Sequence, residues 1–325
     1  MTLDPTRPWP YYGDFVVGAE LPQLPAITVT AADNVLYRSI TGDQHLLSSS
    51  RYAYSAVGGA GVLINPAVVI QYSIGQSTMA TRQAIANLYY REMRVLSPVI
   101  EGETLSTVTT VLGLSDSSPK NGVHRGKVWL GITTRADGRD IMTYERCALV
   151  RSGSTTDPGH HDAIPGPPDP VDLAGLAAQV PAWNLDTLPA TAWSCGEERI
   201  DPLHDHIDLA APFARMIFNQ AAVHRDEPLA GGRRLVFGGH VQGLANASLT
   251  RLLPGVAATV AWDSCDHLAP AYEGDLLEFR HHLVDELPIG NGRLLRFVTT
   301  GTLRWRDGAP QSAELLRWVP IVWAP

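Results

Sequence analysis

Cysteine, positive charge and long apolar segments are all scarce in this sequence. Its three cysteines stand alone, which argues against a disulfide framework and favours a reducing, cytoplasmic location in which they serve as packing residues. The 25 lysines and arginines are outnumbered by 33 acidic residues, giving a net charge of -8 that argues against nucleic acid or an anionic membrane as partner. The longest apolar run, between residues 56 and 70, is interrupted by Asn65 and Pro66 and is too short to span a bilayer.

Proline is concentrated in the middle of the chain. The segment 152–182 contains Pro158, Pro165, Pro167, Pro168 and Pro170, a density that disfavours both a helix and a central strand. We therefore predict an extended linker there, with a short helix over residues 171–179. The linker divides the 325 residues into a first domain at 1–151 and a second domain at 183–325.

Two short patterns occur in both domains at nearly the same spacing. The residues Pro98 to Leu105 (PVIEGETL) match Pro270 to Leu277 (PAYEGDLL), 172 positions later. An Asp-Gly pair at 137–138, typical of a hairpin turn, recurs at 307–308. Two independent matches at similar offsets indicate a duplicated domain.

The order of predicted elements is also the same in the two domains. Each contains a first helical stretch (31–40; 209–219) and a longer one rich in glycine and small apolar residues (59–74; 239–253). Strand-like runs rich in Val, Thr, Leu and Ile follow at 104–114, 127–134 and 141–150, and again at 258–262, 276–284, 294–305 and 315–322. A long helix followed by antiparallel strands, twice over, predicts an α+β architecture.

Two segments of the second domain carry a family resemblance. The sequence FNQAAVH closes the first helical stretch at His224, and RRLVFGGH opens the longer one at His240. With the paired halves, these segments resemble the MaoC-like (R)-specific enoyl-CoA hydratases and dehydratases in their double hot-dog form. The "VFGGH" segment is most similar to the mesaconyl-CoA hydratase (β-methylmalyl-CoA dehydratase) subgroup.

The resemblance implies a lyase that adds water to an acyl-CoA thioester or removes it, as a homodimer without cofactor or metal. The family's Asp and His, five residues apart, fall on Asn219 and His224, and the glycine whose N–H faces the thioester oxygen falls on Gly239. A histidine is a suitable base near neutral pH, and N–H groups at a helix N-terminus stabilise the enolate oxygen. We therefore predict a catalytic set of Asn219, His224 and Gly239.

The departure at Asn219 leaves other functions open. An amide does not titrate, so proton transfer falls to His224, and Asn219 orients a water or the imidazole ring. A neutral amide also suits a substrate that carries its own carboxylate, such as a branched or dicarboxylic thioester like mesaconyl-CoA, because it avoids repulsion between like charges. The alternatives are a hot-dog thioesterase and a non-catalytic acyl-CoA-binding protein.

Four neighbouring residues, Gly238, His240, Arg233 and Arg234, are candidates for substrate binding. His240 points either into the site or into the helix packing. The arginines bind a substrate carboxylate or the CoA phosphates, or lie in a solvated loop. In the first domain, the position five after Asp43 is Ser48, so that copy has no matching histidine and is predicted to be non-catalytic, with nearby His45 as an alternative base.

Overall fold

A computed structural model of the chain describes residues 9–190 and 192–325. Residues 1–8, the start of the predicted first domain, and Thr191 lie outside this description. In the first half, a run of helices is followed by a run of strands, as expected for an α+β protein. The helices are α1 (Ala31–Thr41), α2 (Leu46–Ser49), α3 (Arg51–Ala56) and α4 (Pro66–Gln76), and the strands are β1 (Ile27–Thr28), β2 (Ala84–Val95), β3 (Thr104–Lys120), β4 (Val123–Ala136) and β5 (Arg139–Arg151).

The second half repeats this order after the proline-rich segment. Its helices are α5 (Ala210–Met216) and α6 (Gly238–Leu252). Its strands are β6 (Glu198–Ile200), β7 (Asp205–His206), β8 (Ala258–His267), β9 (Leu276–Ile289), β10 (Gly292–Arg306) and β11 (Ala309–Ala324). Short 3-10 helices lie at Tyr12–Asp14, Ser77–Thr81, Leu173–Gln179, Leu185–Thr187, Ala222–His224 and Pro228–Ala230.

The strands of both halves form one antiparallel sheet of 11 strands. Its order is β1-β3-β4-β5-β2-β8-β11-β10-β9-β6, with β7 paired to β9. The two halves meet where β2 pairs with β8, with Tyr90 opposite Cys265 and Met93 opposite Trp262. Because both strands are internal to the sheet, this junction leaves no exposed edge between the halves.

The helices α4 and α6 pack against this sheet. Every residue of α4 from Ala67 onward is buried, and α6 is buried from Gly239 to Thr250. The two helices also contact each other, and α4 contacts β3 and β8 while α6 contacts β9, β10 and β11. Gly75 of α4 also permits a close approach to the segment after α5, since a Cβ on Gly75 would overlap the carbonyl of Ile217.

The backbone confirms the internal repeat. Gly102 and Gly274, which occupy equivalent places in the two matched segments, have left-handed φ values of 97° and 96°. The Asp-Gly pairs behave in the same way, with φ of 47° and 84° in the first half and 51° and 76° in the second. Both pairs form the predicted two-residue hairpin turns, between β4 and β5 and between β10 and β11.

Three expectations from the sequence were wrong, two about helix boundaries and one about a cysteine. The long helix predicted at 59–74 begins only at Pro66, because Asn65 caps it by accepting a hydrogen bond from the Ala67 N–H at 2.9 Å. The helix predicted at 209–219 is shorter, since Leu209 and Phe218 have positive φ values of 52° and 61°. Of the three cysteines, Cys195 is exposed and does not serve as a packing residue.

The proline-rich segment contacts both halves of the molecule. It is irregular apart from the 3-10 helix at Leu173–Gln179, close to the predicted short helix. The Asp162 N–H donates to the Leu114 carbonyl of β3 at 2.9 Å, and later residues of the segment contact the second half. The Val171 N–H donates to Asp263 of β8 at 3.2 Å, and the Val171 carbonyl accepts from Arg296 of β10. Among residues 9–190 and 192–325, no helix is long and apolar enough to cross a membrane.

Candidate active site

A cavity of about 580 Å³ lies between the two halves. The first half contributes the segment that follows α4, residues of β2 and one residue each of β3 and β5. The second half contributes the loop after α5, the start of α6 with the residues before it, the end of β8 with the loop after it, and one residue of β11. The cavity is lined by Thr78, Thr81, Ala84, Ile85, Ala86, Asn87, Tyr90, Lys120, Arg146, Asn219, Ala221, Val223, His224, Leu235, Val236, Phe237, Gly238, Val241, His267, Leu268, Ala269, Pro270, Ala271 and Leu315.

The loop after α5 brings Asn219 and His224 to the cavity wall. The helix ends at Met216, and the Asn219 N–H then bonds to the Ala214 carbonyl at 2.9 Å. The next N–H, of Gln220, donates to the Thr78 hydroxyl of the first half at 2.9 Å. This bond ties the loop to both halves, so the positions of Asn219 and His224 depend on how the halves pack together.

The side chain of Asn219 has a fixed orientation. It is only 1 % exposed, and its Oδ1 accepts a hydrogen bond from the Ala221 N–H at 2.9 Å. Its Nδ2 is buried and has no partner among the described residues. Asn219 therefore presents a hydrogen-bond donor to the cavity, and its carbonyl is occupied by the loop itself.

His224 is held as a neutral imidazole with a free lone pair. Its Nδ1 lies 2.9 Å from the Leu235 carbonyl, which accepts only, so Nδ1 carries the proton and Nε2 is free to act as a base. Burial lowers the pKa of His224 to about 4, and the charges of Arg146 and Arg225 contribute to the lowering. The imidazole is consequently unprotonated at neutral pH.

The two glycines at the start of α6 have different surroundings. Gly238 lines the cavity, and a Cβ there would overlap the His267 ring. Gly239 instead packs against the first half, where a Cβ would overlap Gln71 of α4. The first N–H groups of a helix have no partner within it, so both glycines offer a donor at the positive end of α6. The role predicted for Gly239 stays a prediction, and Gly238 is the glycine found at the cavity wall.

The other three candidate binding residues lie away from the cavity lining. His240 is 1 % exposed, and it packs its ring edge-on against Phe213 with centroids 5.1 Å apart. Arg233 pairs with Asp307 at 2.8 Å and lies over the Tyr272 ring. Arg234 pairs with Glu273 and Glu227, the latter at 2.7 Å. The structure therefore brings together Asn219, His224 and Gly238, and it does not bring His240, Arg233 or Arg234 to them.

Two polar residues of the cavity were missed in the sequence. His267 ends β8 and is half-buried. Its Nε2 is buried without a partner among the residues described, and desolvation lowers the pKa of His267 to about 4. Arg146 lies in β5 and is 3 % exposed. Side chains alternate between the two faces of this strand, and Arg146 is on the buried face. An arginine at an inward-facing position of an otherwise apolar strand could have indicated in the sequence that Arg146 belongs to a functional site. His267 had no such indication, because its approach to His224 depends on the pairing of distant strands.

In the first half, the loop after α1 carries a different polar cluster, at the place that corresponds to the site in the second half. Asp43, 2 % exposed, accepts hydrogen bonds from Asn65 Nδ2 at 2.6 Å, from Asn246 Nδ2 of α6 at 2.7 Å and from the His45 N–H at 3.0 Å. His45 bonds to the Ala257 carbonyl and to Ser48, and it does not line the cavity. The cluster joins the loop after α1 to the helices α4 and α6.

We expect Asn246→Ala to destabilise the fold. The substitution removes a donor from a buried carboxylate, which costs roughly 1.5–3 kcal/mol. Urea unfolding of the wild type, Asn246→Ala, Asp43→Ala and the double variant measures this as a cycle. A smaller cost of Asn246→Ala in the Asp43→Ala background is the expected result, and strict additivity would show that the two side chains are not coupled.

Within the described part of the chain, no three His, Cys, Asp or Glu side chains are grouped so as to hold a metal ion. The groups that line the cavity include two neutral imidazoles, an amide donor, a guanidinium and backbone N–H groups at a helix N-terminus. This set suits addition of water to, or its removal from, a substrate whose carbonyl oxygen gains negative charge.

No protein-family model matches the chain. A curated relative, the mesaconyl-CoA hydratase of Cereibacter sphaeroides, is 28% identical over 291 residues, which are 85% of this chain and 83% of that protein. A conserved protein of Mycobacterium tuberculosis, described as having a double hot-dog fold, is 30% identical, with a TM-score of 0.88 over 97% of this chain and 98% of that one. The double hot-dog fold implied by the sequence resemblance is thus confirmed.

A third similar structure comes from Chloroflexus aurantiacus. It is described as a MaoC-domain dehydratase, and it superposes with a TM-score of 0.88 at 24% identity over 99% of both chains. At this identity the likeness supports the fold alone. All three similarities extend over most of the chain, so they include both halves and the cavity between them.

Proposed function

Because the chain belongs to the MaoC-like double hot-dog family, we propose that it is a hydro-lyase that adds water to an α,β-unsaturated acyl-CoA thioester or catalyses the reverse dehydration. The observation that carries this proposal is the hydrogen bond from His224 Nδ1 to the Leu235 carbonyl. It leaves Nε2 unprotonated in a cavity that Asn219 and Gly238 also line. The relative of Cereibacter sphaeroides is named as a hydratase of mesaconyl-CoA, a substrate of this class.

In the hydration direction, His224 Nε2 takes a proton from a water molecule. The water oxygen bonds to the β-carbon, and the electron pair of the double bond moves through the α-carbon to the thioester oxygen. The enolate formed in this way accepts hydrogen bonds from N–H groups at the start of α6, helped by the helix dipole. Return of the proton to the α-carbon restores the thioester, and the net change is the addition of one water.

Asn219 acts in this scheme as a donor to the attacking water. Its Nδ2 faces the cavity because its Oδ1 is bonded to the Ala221 N–H at 2.9 Å. An aspartate at this position would offer a carboxylate base, which the amide does not, and the scheme assigns the proton transfer to His224. The scheme therefore has a single base, and the first half of the chain serves to complete the cavity wall.

The proposal is tested by following the absorbance of the enoyl thioester with the purified chain and two substrates, crotonyl-CoA and mesaconyl-CoA. We expect the absorbance to fall to an equilibrium value, with CoA still esterified. Release of free thiol without loss of the double bond would instead indicate a thioesterase. Tight binding of both thioesters without any reaction would indicate a binding protein.

A further inference from the structure

One buried cation at the cavity has no acidic partner. Arg146 is 3 % exposed, lines the cavity and lies over the Tyr90 ring with its Cζ 5.3 Å from the ring centroid. Its Nε and Nη2 donate to Oδ1 of the Asn87 side chain at 3.2 and 2.9 Å, and its Nη1 donates to the Ser77 hydroxyl at 2.7 Å. All of these partners are neutral.

The other buried arginines of the described chain have carboxylate partners. Arg91 pairs with Asp266 at 2.5 Å and Arg296 with Asp263 at 2.9 Å. The largely buried Arg251 pairs with two aspartates at 2.6 Å. Burying a guanidinium costs several kcal/mol unless an anion compensates it, so Arg146 is the exception that requires an explanation.

The cavity itself supplies no anion for Arg146. Among the described residues that line it there is no aspartate or glutamate, and the ionisable ones are Lys120, His224, His267, Tyr90 and Arg146 itself. A guanidinium has five N–H donors, of which three are used in the bonds to Asn87 and Ser77. Two remain, one on Nη1 and one on Nη2, and a carboxylate can accept one hydrogen bond from each of these nitrogens.

We propose that Arg146 is a specificity-determining residue that binds a carboxylate on the acyl portion of the substrate. This inference rests on the proposed function and narrows it to thioesters of dicarboxylic acids. The CoA phosphates fit less well, because they lie at the far end of a long pantetheine arm. Arg146, in contrast, is close enough to His224 and His267 for its charge to lower the pKa of both imidazoles.

Asn219 is consistent with this assignment. A carboxylate bound at Arg146 would repel a second carboxylate in the same cavity, and the position that holds an aspartate in the resembling family holds a neutral amide here. A bound anion would also offset the positive charge that disfavours protonation of His224. This suits a base that must carry a proton for part of the reaction.

The test compares kcat/KM for mesaconyl-CoA and crotonyl-CoA in the wild type, Arg146→Gln and Arg146→Lys. We expect Arg146→Gln to lose on the order of 100-fold on mesaconyl-CoA and only a few-fold on crotonyl-CoA, with partial recovery of the mesaconyl-CoA rate in Arg146→Lys. Arg280→Gln, an exposed arginine paired with Glu198 at 2.7 Å, serves as the control and should leave both rates unchanged. Equal losses on both substrates would overturn the proposal.

A binding measurement separates this inference from the proposed function. Calorimetry with succinyl-CoA and butyryl-CoA, which differ by a terminal carboxylate and cannot be hydrated, requires no catalysis. Tighter binding of succinyl-CoA that disappears in Arg146→Gln would support the role of Arg146 even if no enoyl thioester reacted. Equal affinity for the two thioesters in the folded wild type would overturn it even if hydration were observed.

Discussion

Replacing His224 with glutamine is expected to lower kcat for hydration roughly 10²- to 10⁴-fold, the usual contribution of a general base. Glutamine can still donate to the Leu235 carbonyl, so it preserves the loop while removing the only base assigned to the reaction. KM should change little, since the substrate is held by other groups. His206→Gln is the matched control, because His206 is exposed on β7 and does not line the cavity.

The same assignment predicts an unusual pH profile. With a pKa near 4, His224 is neutral throughout the range in which an ordinary histidine titrates. We expect kcat/KM of the wild type to stay level as the pH falls from about 8 to about 6. A decline with an apparent pKa near 6.5 would show that the base is a solvated histidine, and full activity of His224→Gln would exclude His224 itself.

The second large effect is a loss of stability in mild acid. His224, His240, His267 and His281 are held as neutral imidazoles, and burial lowers their pKa values to about 4, 4, 4 and 3. In the unfolded chain the same residues titrate near 6.5, so at about pH 5 the unfolded state binds up to four more protons than the folded state. The free energy of unfolding should therefore fall by up to about 5 kcal/mol per pH unit near pH 5.

His240 provides the sharpest test of that prediction. Neither of its ring nitrogens has a hydrogen-bond partner among the residues described, so His240→Leu removes a titrating group without breaking a bond. Urea unfolding should find the variant about as stable as the wild type at pH 7 and more stable by about 2 kcal/mol at pH 5. If the free energies of unfolding of the variant and the wild type differed by the same amount at pH 7 and at pH 5, His240 would not contribute to the loss of stability in acid. Retention of kcat in this variant would also argue against the predicted role of His240 in substrate binding.

Much of the fold was predictable because its determinants are local. The Asp-Gly turns require left-handed backbone, the strands they join are rich in β-branched residues, and the two matched segments reveal the duplication. The strand β2 (Ala84–Val95) was not predicted, although it joins the two halves through β8. Its residues mix Tyr, Arg, Asn and Glu without clear alternation, and their environment depends on β5 and β8 rather than on their neighbours in sequence.

The part of the site that could be predicted is the part whose residues are close together in the sequence. Asn219 and His224 share one loop and both line the cavity, and the catalytic roles that the family resemblance implies for them stay predictions. Arg146 and His267 come from strands of different halves, so only the assembled sheet brings them together. Arg233 and Arg234 had the right charge and position in sequence, but their acidic partners lie in other segments, and these pairings determine where the guanidinium groups point.

The most direct measurement is the fate of a labelled water oxygen. The chain is incubated with mesaconyl-CoA or crotonyl-CoA in water enriched in heavy oxygen, and the intact thioester is analysed by mass spectrometry. We expect the wild type to form a thioester with one labelled oxygen in the acyl group and CoA still attached, and His224→Gln to form almost none. Label found only in a released carboxylic acid, or an unchanged enoyl thioester, would contradict it.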